Sequence, residues 1–249
     1  MSTQLYDQVI AAMRSACEDM LRFSGKPARP INAEYLFTVA VAKHIDKLNF
    51  FYGYPYNIYL EKNVREFAKD CLLPFKIAGS SIKPGSSILR SKVPKIDNGR
   101  IDIAVYQEIP NSGYLGHQPI CAIELKGFNP ARSKVIEDLK RNLRYFRLTG
   151  EAGHSVLTST IFAAFCCWKR TGNESEENDK VENLKRTYTS WLSELGPVPD
   201  IEMQVNAHSV RKDLEGTVTD EGEYQVLDTD TIHHFVGITV EFRPKNLII

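Results

Sequence analysis

Asp102 lies in the run RIDIAVYQ at 100–107, and Glu124 and Lys126 lie in ICAIELK at 120–126. Both runs are apolar and rich in β-branched residues, which predicts strands. Strand side chains alternate, so Ile101, Ile103 and Val105 are expected on one face and Asp102 on the other, beside Ala104. By the same alternation Ile123 and Leu125 share a face, and Glu124 and Lys126 project together from the opposite one. A carboxylate inside an apolar strand is costly unless it is paired, metal-bound or solvated. Two carboxylates and a lysine are the set that phosphodiester hydrolysis uses. The acids suit a hard divalent cation, which offsets developing charge and acidifies a bound water. The lysine places a positive point charge beside the reacting phosphate and its water. Glu-x-Lys alone carries little information, because such triplets arise by chance and can form a solvent-side ion pair on a hairpin. The conjunction carries more: an apolar strand with Asp, a turn, an apolar strand with Glu-x-Lys, and then a basic amphipathic helix.

Several elements must position that set. Leu5, Val9, Ala12, Met13, Ala16, Met20 and Leu21 recur at helical spacing, so the chain opens with an amphipathic helix that SGKPARP at 24–30 breaks. Asn32 is suited to cap a second helix running to about Leu48, with Glu34 in its first turn. Residues 49–56 read as aromatic and turn-rich, 57–60 as a short strand, 64–73 as a helix stopped by Pro74, and 80–98 as a loop. Residues 130–148 predict a strong helix with Val135, Ile136, Leu139, Leu143 and Phe146 on one stripe. Residues 160–168 are continuously apolar and predict a central strand. A helix within 175–195 and strands at 201–210 and 233–242 follow. This order predicts an α/β fold in which helices flank a mixed sheet. The chain reads as one domain over 1–249, with a core at about 32–168 and a β-containing C-terminal extension at about 169–249.

Asp102 in RIDIAVY, followed 22 residues later by Glu124-Leu125-Lys126 in CAIELKGF, resembles the PD-(D/E)XK nuclease superfamily, the restriction-endonuclease-like proteins. The resemblance covers roughly residues 32 to 168. It implies an α-β-β-β-α-β core in which Asp102, Glu124 and the backbone carbonyl of Leu125 bind Mg²⁺ or Mn²⁺ and Lys126 assists the attacking water. It implies a role for Glu34, an acid on the preceding helix, on the face of Thr38, Val41 and Ile45; a favourable charge at a helix N-terminus is the other reading of that residue. Asp138, Lys140 and Arg141 are the candidates on the helix after the motif, although a solvated helix face would account for Asp138 and Lys140. Ile101 stands where the family's name has proline. The expected substrate is DNA, with Lys95, Arg100, Lys140 and Arg141 toward the phosphates, and a homodimer fits the family's habit. Two alternatives stay open: a non-catalytic nucleic-acid-binding or scaffold protein on the same fold, and a hydrolase of RNA or of a small phosphodiester.

Composition bounds the rest. The 249 residues are 43% hydrophobic and 25% charged, enough for a sizeable core without a structural metal or disulfide. The five cysteines form no CxxC pair and read as reduced core thiols. No signal peptide and no apolar run of roughly 18 residues is present, which predicts a cytoplasmic protein without a membrane span. Net charge is zero, so a general pull on nucleic acid is excluded, yet basic stretches bracket the motif. One holds Lys76, Lys83, Arg90, Lys92, Lys95 and Arg100; the other holds Arg132, Lys134, Lys140, Arg141, Arg144 and Arg147. They suit a local phosphate track or a solvated face equally well. No histidine has zinc spacing, and no nucleotide loop occurs. Phe50, Phe51, Tyr52, Tyr54, Tyr56 and Tyr59 cluster tightly, as base-stacking residues, a dimer surface or a core corner would.

Overall fold

The computed structural model describes residues 2–24, 31–53, 55–77, 88–90, 92–93, 98–109, 114, 116–169, 174–214, 217–228 and 233–245. Among the described residues the helices are α1 (Ser2–Ser24), α2 (Glu34–Tyr52), α3 (Val64–Asp70), α4 (Arg132–Phe146) and α5 (Glu174–Ser193). The main sheet holds β1 (Tyr56–Asn63), β2 (Arg100–Glu108), β3 (His117–Phe128), β4 (Ser159–Lys169), β5 (Ile201–Leu214) and β6 (His233–Pro244). Their spatial order is β1-β2-β3-β4-β6-β5, and only β3 and β4 run parallel. A parallel neighbour needs a crossover, and α4 supplies it. The segment beyond 169 extends this same sheet, because β6 pairs with β4 along its length and carries β5 on its outer side.

Helices cover both faces. α1 and α2 lie on one face, over Ile103, Val105, Ile123, Leu125, Ile161 and Phe165. On the other face α3 packs over Ile101, Ala104, Tyr106 and Ala122. Beside it, α4 and α5 cover Phe162, Ala164, Ile238 and Val240. The fold is therefore a three-layer α/β arrangement around a six-stranded mixed sheet. Among the described residues no helix is long and apolar enough to cross a membrane. The five cysteines are free, four of them buried and Cys167 half-buried, and burial pushes the Cys17, Cys121 and Cys166 thiols up to about 12.

Three local expectations need correction. Asn32 does not cap α2; Ala33 holds that position without a side-chain cap. The Asn32 carboxamide instead accepts the Phe128 backbone N–H at 2.7 Å, fastening the entrance of α2 to the end of β3. α2 also runs past Leu48 to Tyr52, because Gly53 at φ +75° ends it in a left-handed C-cap that the aromatic residues before it do not require. Finally, Ile101 packs with Ala104 and Tyr106 under α3, not with Ile103 and Val105. The alternation breaks at Asp102, for a reason that belongs to the site.

Gly127 shows how tightly the α2 entrance is seated. A Cβ there would lie 1.9 Å from Asn32 Oδ1. Gly127→Ala is expected to break the Asn32–Phe128 bond and lower stability by about 1–3 kcal/mol. Denaturant unfolding of the variant beside Asn32→Ala checks this. If Gly127→Ala costs nothing while Asn32→Ala does, the close approach is not what excludes a side chain.

Candidate active site

Strands β2 and β3 pair from Glu108↔His117 up to Ile103↔Ile123 and then part. Beyond that point Asp102 Oδ2 accepts the Leu125 backbone N–H at 2.6 Å, so a carboxylate replaces the strand carbonyl. On the other side of Asp102 the β1–β2 ladder passes from Leu60↔Ile103 to Lys62↔Ile101 without a Glu61–Asp102 pair. Glu61 there adopts φ +53°, a left-handed conformation uncommon for a side chain of its size. Irregular backbone on both sides thus breaks the alternation at Asp102 and opens the sheet where Glu124 and Lys126 stand. Beyond Lys126, Asn129 takes over the strand's bonding. Its N–H donates to the Phe165 carbonyl, and its side chain accepts the Cys167 N–H at 3.1 Å.

Glu124 is 1% exposed. Its Oε1 accepts Arg141 Nε at 2.8 Å. Arg141 Nη2 in turn donates to Asp138 Oδ1 at 2.5 Å. Asp138 Oδ2 lies 3.3 Å from Lys126 Nζ. Lys126 Nζ also donates to Glu34 Oε1 at 3.2 Å and to the Leu125 carbonyl at 2.9 Å. The network therefore draws Glu34 from α2, Asp102 from β2, Glu124 and Lys126 from β3, and Asp138 and Arg141 from α4. Four carboxylates meet two cationic side chains.

The electrostatics follow from burial and from this excess of negative charge. Desolvation pushes Glu124 up to about 8, against the pull of Arg141 and with Asp102 and Asp138 adding to the rise. Desolvation likewise raises Asp102 to about 6, opposed by the Leu125 N–H and by Lys126. Asp138 is also raised, by desolvation against Lys126 and Arg141. For Lys126 desolvation favours the neutral amine, but Asp138, Glu34 and Asp102 together outweigh it and hold the ammonium above its usual range. Lys126 is thus a donor at neutral pH and not a base.

The structure gathers Glu34, Asp102, Glu124, Lys126 and Arg141 and leaves other candidates outside. Asp138 is buried in the network and not on a solvated face. Its phase explains this: Asp138 and Asn142 share the inward stripe of α4 with Val135, Leu139 and Leu143. Lys140 is on the exposed face. Arg100 is exposed and 3.8 Å from Glu61. Lys95 lies outside the described residues, as does Lys83, and nothing is described of the Lys76 and Arg90 side chains. Arg141 makes its two bonds to buried carboxylates, so in this structure it is a counter-ion to the acids. Two residues were not singled out by sequence. Glu61 is close enough to raise Asp102, and no sequence signal marked it. Tyr145, fully buried on α4, has a hydroxyl without a hydrogen-bond partner among the described residues; desolvation raises its pKa, and the Glu124 carboxylate adds to the rise.

Among the described residues no three His, Cys, Asp or Glu side chains converge to hold a metal by themselves. The donors still suit a hard cation that keeps waters, since such ions need only one or two carboxylates. Asp102 Oδ1 and Glu124 Oε2 accept none of the bonds above, and the Leu125 carbonyl accepts from Lys126 Nζ. The chain matches no known protein family, no curated protein and no solved structure.

Proposed function

We propose that this chain is a metal-dependent nuclease that hydrolyses phosphodiester bonds of DNA at the opened end of β2 and β3. The observation that carries this reading is the convergence of Asp102, Glu124 and Lys126 with Glu34, Asp138 and Arg141 in one partly buried network. Four carboxylates against two cations leave two formal negative charges, the charge one divalent ion balances. Asp102, Glu124 and the Leu125 carbonyl would hold Mg²⁺ or Mn²⁺, which would supply charge neutralisation and an acidified water.

The chain's own residues divide the remaining work. The Lys126 ammonium, held by Glu34 and Asp138, can donate to a water or a phosphate oxygen but cannot take its proton. Glu34 fixes it from α2, and Asp138 fixes both Lys126 and Arg141 from α4. Arg141 keeps Glu124 in one orientation, because a guanidinium bonding two carboxylates has little freedom left. Exposed Lys140, Arg144 and Arg147, on or just after α4, suit contact with phosphates outside the site. Binding through them is expected to weaken steeply with salt.

The test is cleavage of supercoiled and linear plasmid DNA with Mg²⁺ or Mn²⁺, beside EDTA and Lys126→Ala. Metal-dependent cleavage is expected, with a loss of about 10²–10³-fold in the variant, the scale of one transition-state donor. Equal inertness of both proteins, with no heat of Mn²⁺ binding by calorimetry, would sink the reading.

A further inference from the structure

The two edges of the sheet differ in chemistry. At one edge, β5 carries Glu202, Gln204, Asn206, His208 and Arg211, and charge along an edge strand discourages pairing with another chain. At the other, residues 56–60 of β1 read Tyr-Asn-Ile-Tyr-Leu, without a charge, and among the described residues no strand pairs with their outer side. The charged and left-handed Glu61 begins only after this window. An aromatic corner flanks its start. Phe50 and Phe51 are each 75% exposed and Tyr52 58%, at the end of α2; Tyr59 is 45% and Leu60 41% exposed on β1. The Asn49 carboxamide locks corner to strand, donating to the Tyr56 carbonyl at 2.9 Å and accepting its N–H at 2.8 Å.

We infer that the β1 edge and the Phe50–Phe51–Tyr52 corner form a two-fold interface with a second copy of this chain, joining two six-stranded sheets edge to edge. Self-pairing about Ile58 in antiparallel register sets Tyr56 opposite Leu60 and Asn57 opposite Tyr59. No like charges meet, which an isologous contact requires. The same register carries the aromatic corner of each copy past the exposed Leu60 of the other, toward Glu61 and Lys62. At about 200 Å² per large side chain, the exposed fractions amount to about 600 Å² per copy. With the strand backbone added, this approaches the roughly 800 Å² per partner of a stable interface. The side-chain area alone stands at the upper end of the roughly 300–600 Å² of the largest apolar patch on a typical monomer, a size that often marks an interaction site. The sheet edge and the aromatic corner are both independent of the chemistry at Asp102.

Light scattering after size exclusion, from about 1 to 200 μM protein, tests it. The expected mass is twice 28.2 kDa. Phe50→Asp/Phe51→Asp and, separately, Leu60→Lys are each expected to raise the dimer dissociation constant at least 100-fold while leaving the circular dichroism spectrum unchanged. Tyr224→Asp, an exposed aromatic on the separate hairpin of Thr217–Glu221 and Tyr224–Asp228, is the control and should leave the mass unaltered. A wild-type mass of 28.2 kDa across the whole range overturns the inference. A dimer that survives both edge variants, or that Tyr224→Asp also dissociates, overturns it too. Variants of unchanged mass that lose single-stranded oligonucleotide binding would assign the corner to base stacking instead.

Discussion

Glu124→Gln is expected to abolish most catalysis while stabilising the fold at alkaline pH. The substitution removes the more buried of the two acids proposed to hold the divalent ion. Cleavage should fall on the order of 10³-fold, as when an interaction made at the transition state is lost. The stability effect has the opposite sign because of burial. The folded-state pKa of Glu124 is about 8 against an ordinary 4.5. Below the ordinary value the group is protonated in both states and favours neither. Between the two values the unfolded chain ionises freely and the folded one does not, so the folded state loses ground as pH rises. The slope is at most about 1.4 kcal/mol per pH unit for one group. Asp102, raised to about 6, adds to the loss at the lower end of that range.

Thermal unfolding of wild type should therefore show falling stability from about pH 5 to 8 without metal, and Mg²⁺ or Mn²⁺ should recover part of it at the upper end. Glu124→Gln should flatten the profile, matching wild type near pH 5 and exceeding it at pH 8. A variant that is less stable than wild type at pH 8 would show that Glu124 is not held in an environment hostile to its charge.

Arg141→Leu is expected to be the most destabilising of the single changes within the network. The guanidinium is one-fifth exposed and bonds both Glu124 and Asp138. Removing one partner of a buried ionic group strands the others, which commonly costs about 3–5 kcal/mol. Here the loss should grow as pH rises through about 8, where Glu124 ionises in the folded state, and should shrink below that as Glu124 protonates. Leucine keeps the bulk of the aliphatic stem, so a lost packing contact does not supply the pH dependence. Urea unfolding at pH 5 and pH 8 separates the two effects. Equal losses at both values would mean that packing, and not charge pairing, is what Arg141 contributes.

The elements of this fold were largely visible in local pattern. The apolar runs around Asp102 and Glu124 became β2 and β3, and the stripe through Val135, Leu139 and Leu143 became the inward side of α4. The same periodicity contained the position of Asp138. It lies three residues beyond Val135, on the buried phase, although its charge alone suggested solvent. Asn32 departs from its local preference for a related reason. Its type suits a helix cap, and the competing claim on its side chain comes from Phe128, ninety-six residues away. Local preference cannot anticipate a bond at that range.

By itself the sequence determined that two acids and a lysine would ride on neighbouring apolar strands, since alternation and β-propensity depend only on near neighbours along the chain. It likewise determined that an amphipathic helix follows them. The tertiary structure decided which groups meet. Only the parting of β2 from β3 brings Asp102 to the Leu125 N–H. Only the α4 crossover brings Arg141 to Glu124 and Asp138 to Lys126. Only the seating of α2 against the end of β3 brings Glu34 to Lys126. Each is a long-range contact set by packing across the sheet. The raised pKa values of Glu124 and Asp102 follow from the same cause, because burial depends on what the rest of the chain places over a residue and not on its neighbours in sequence.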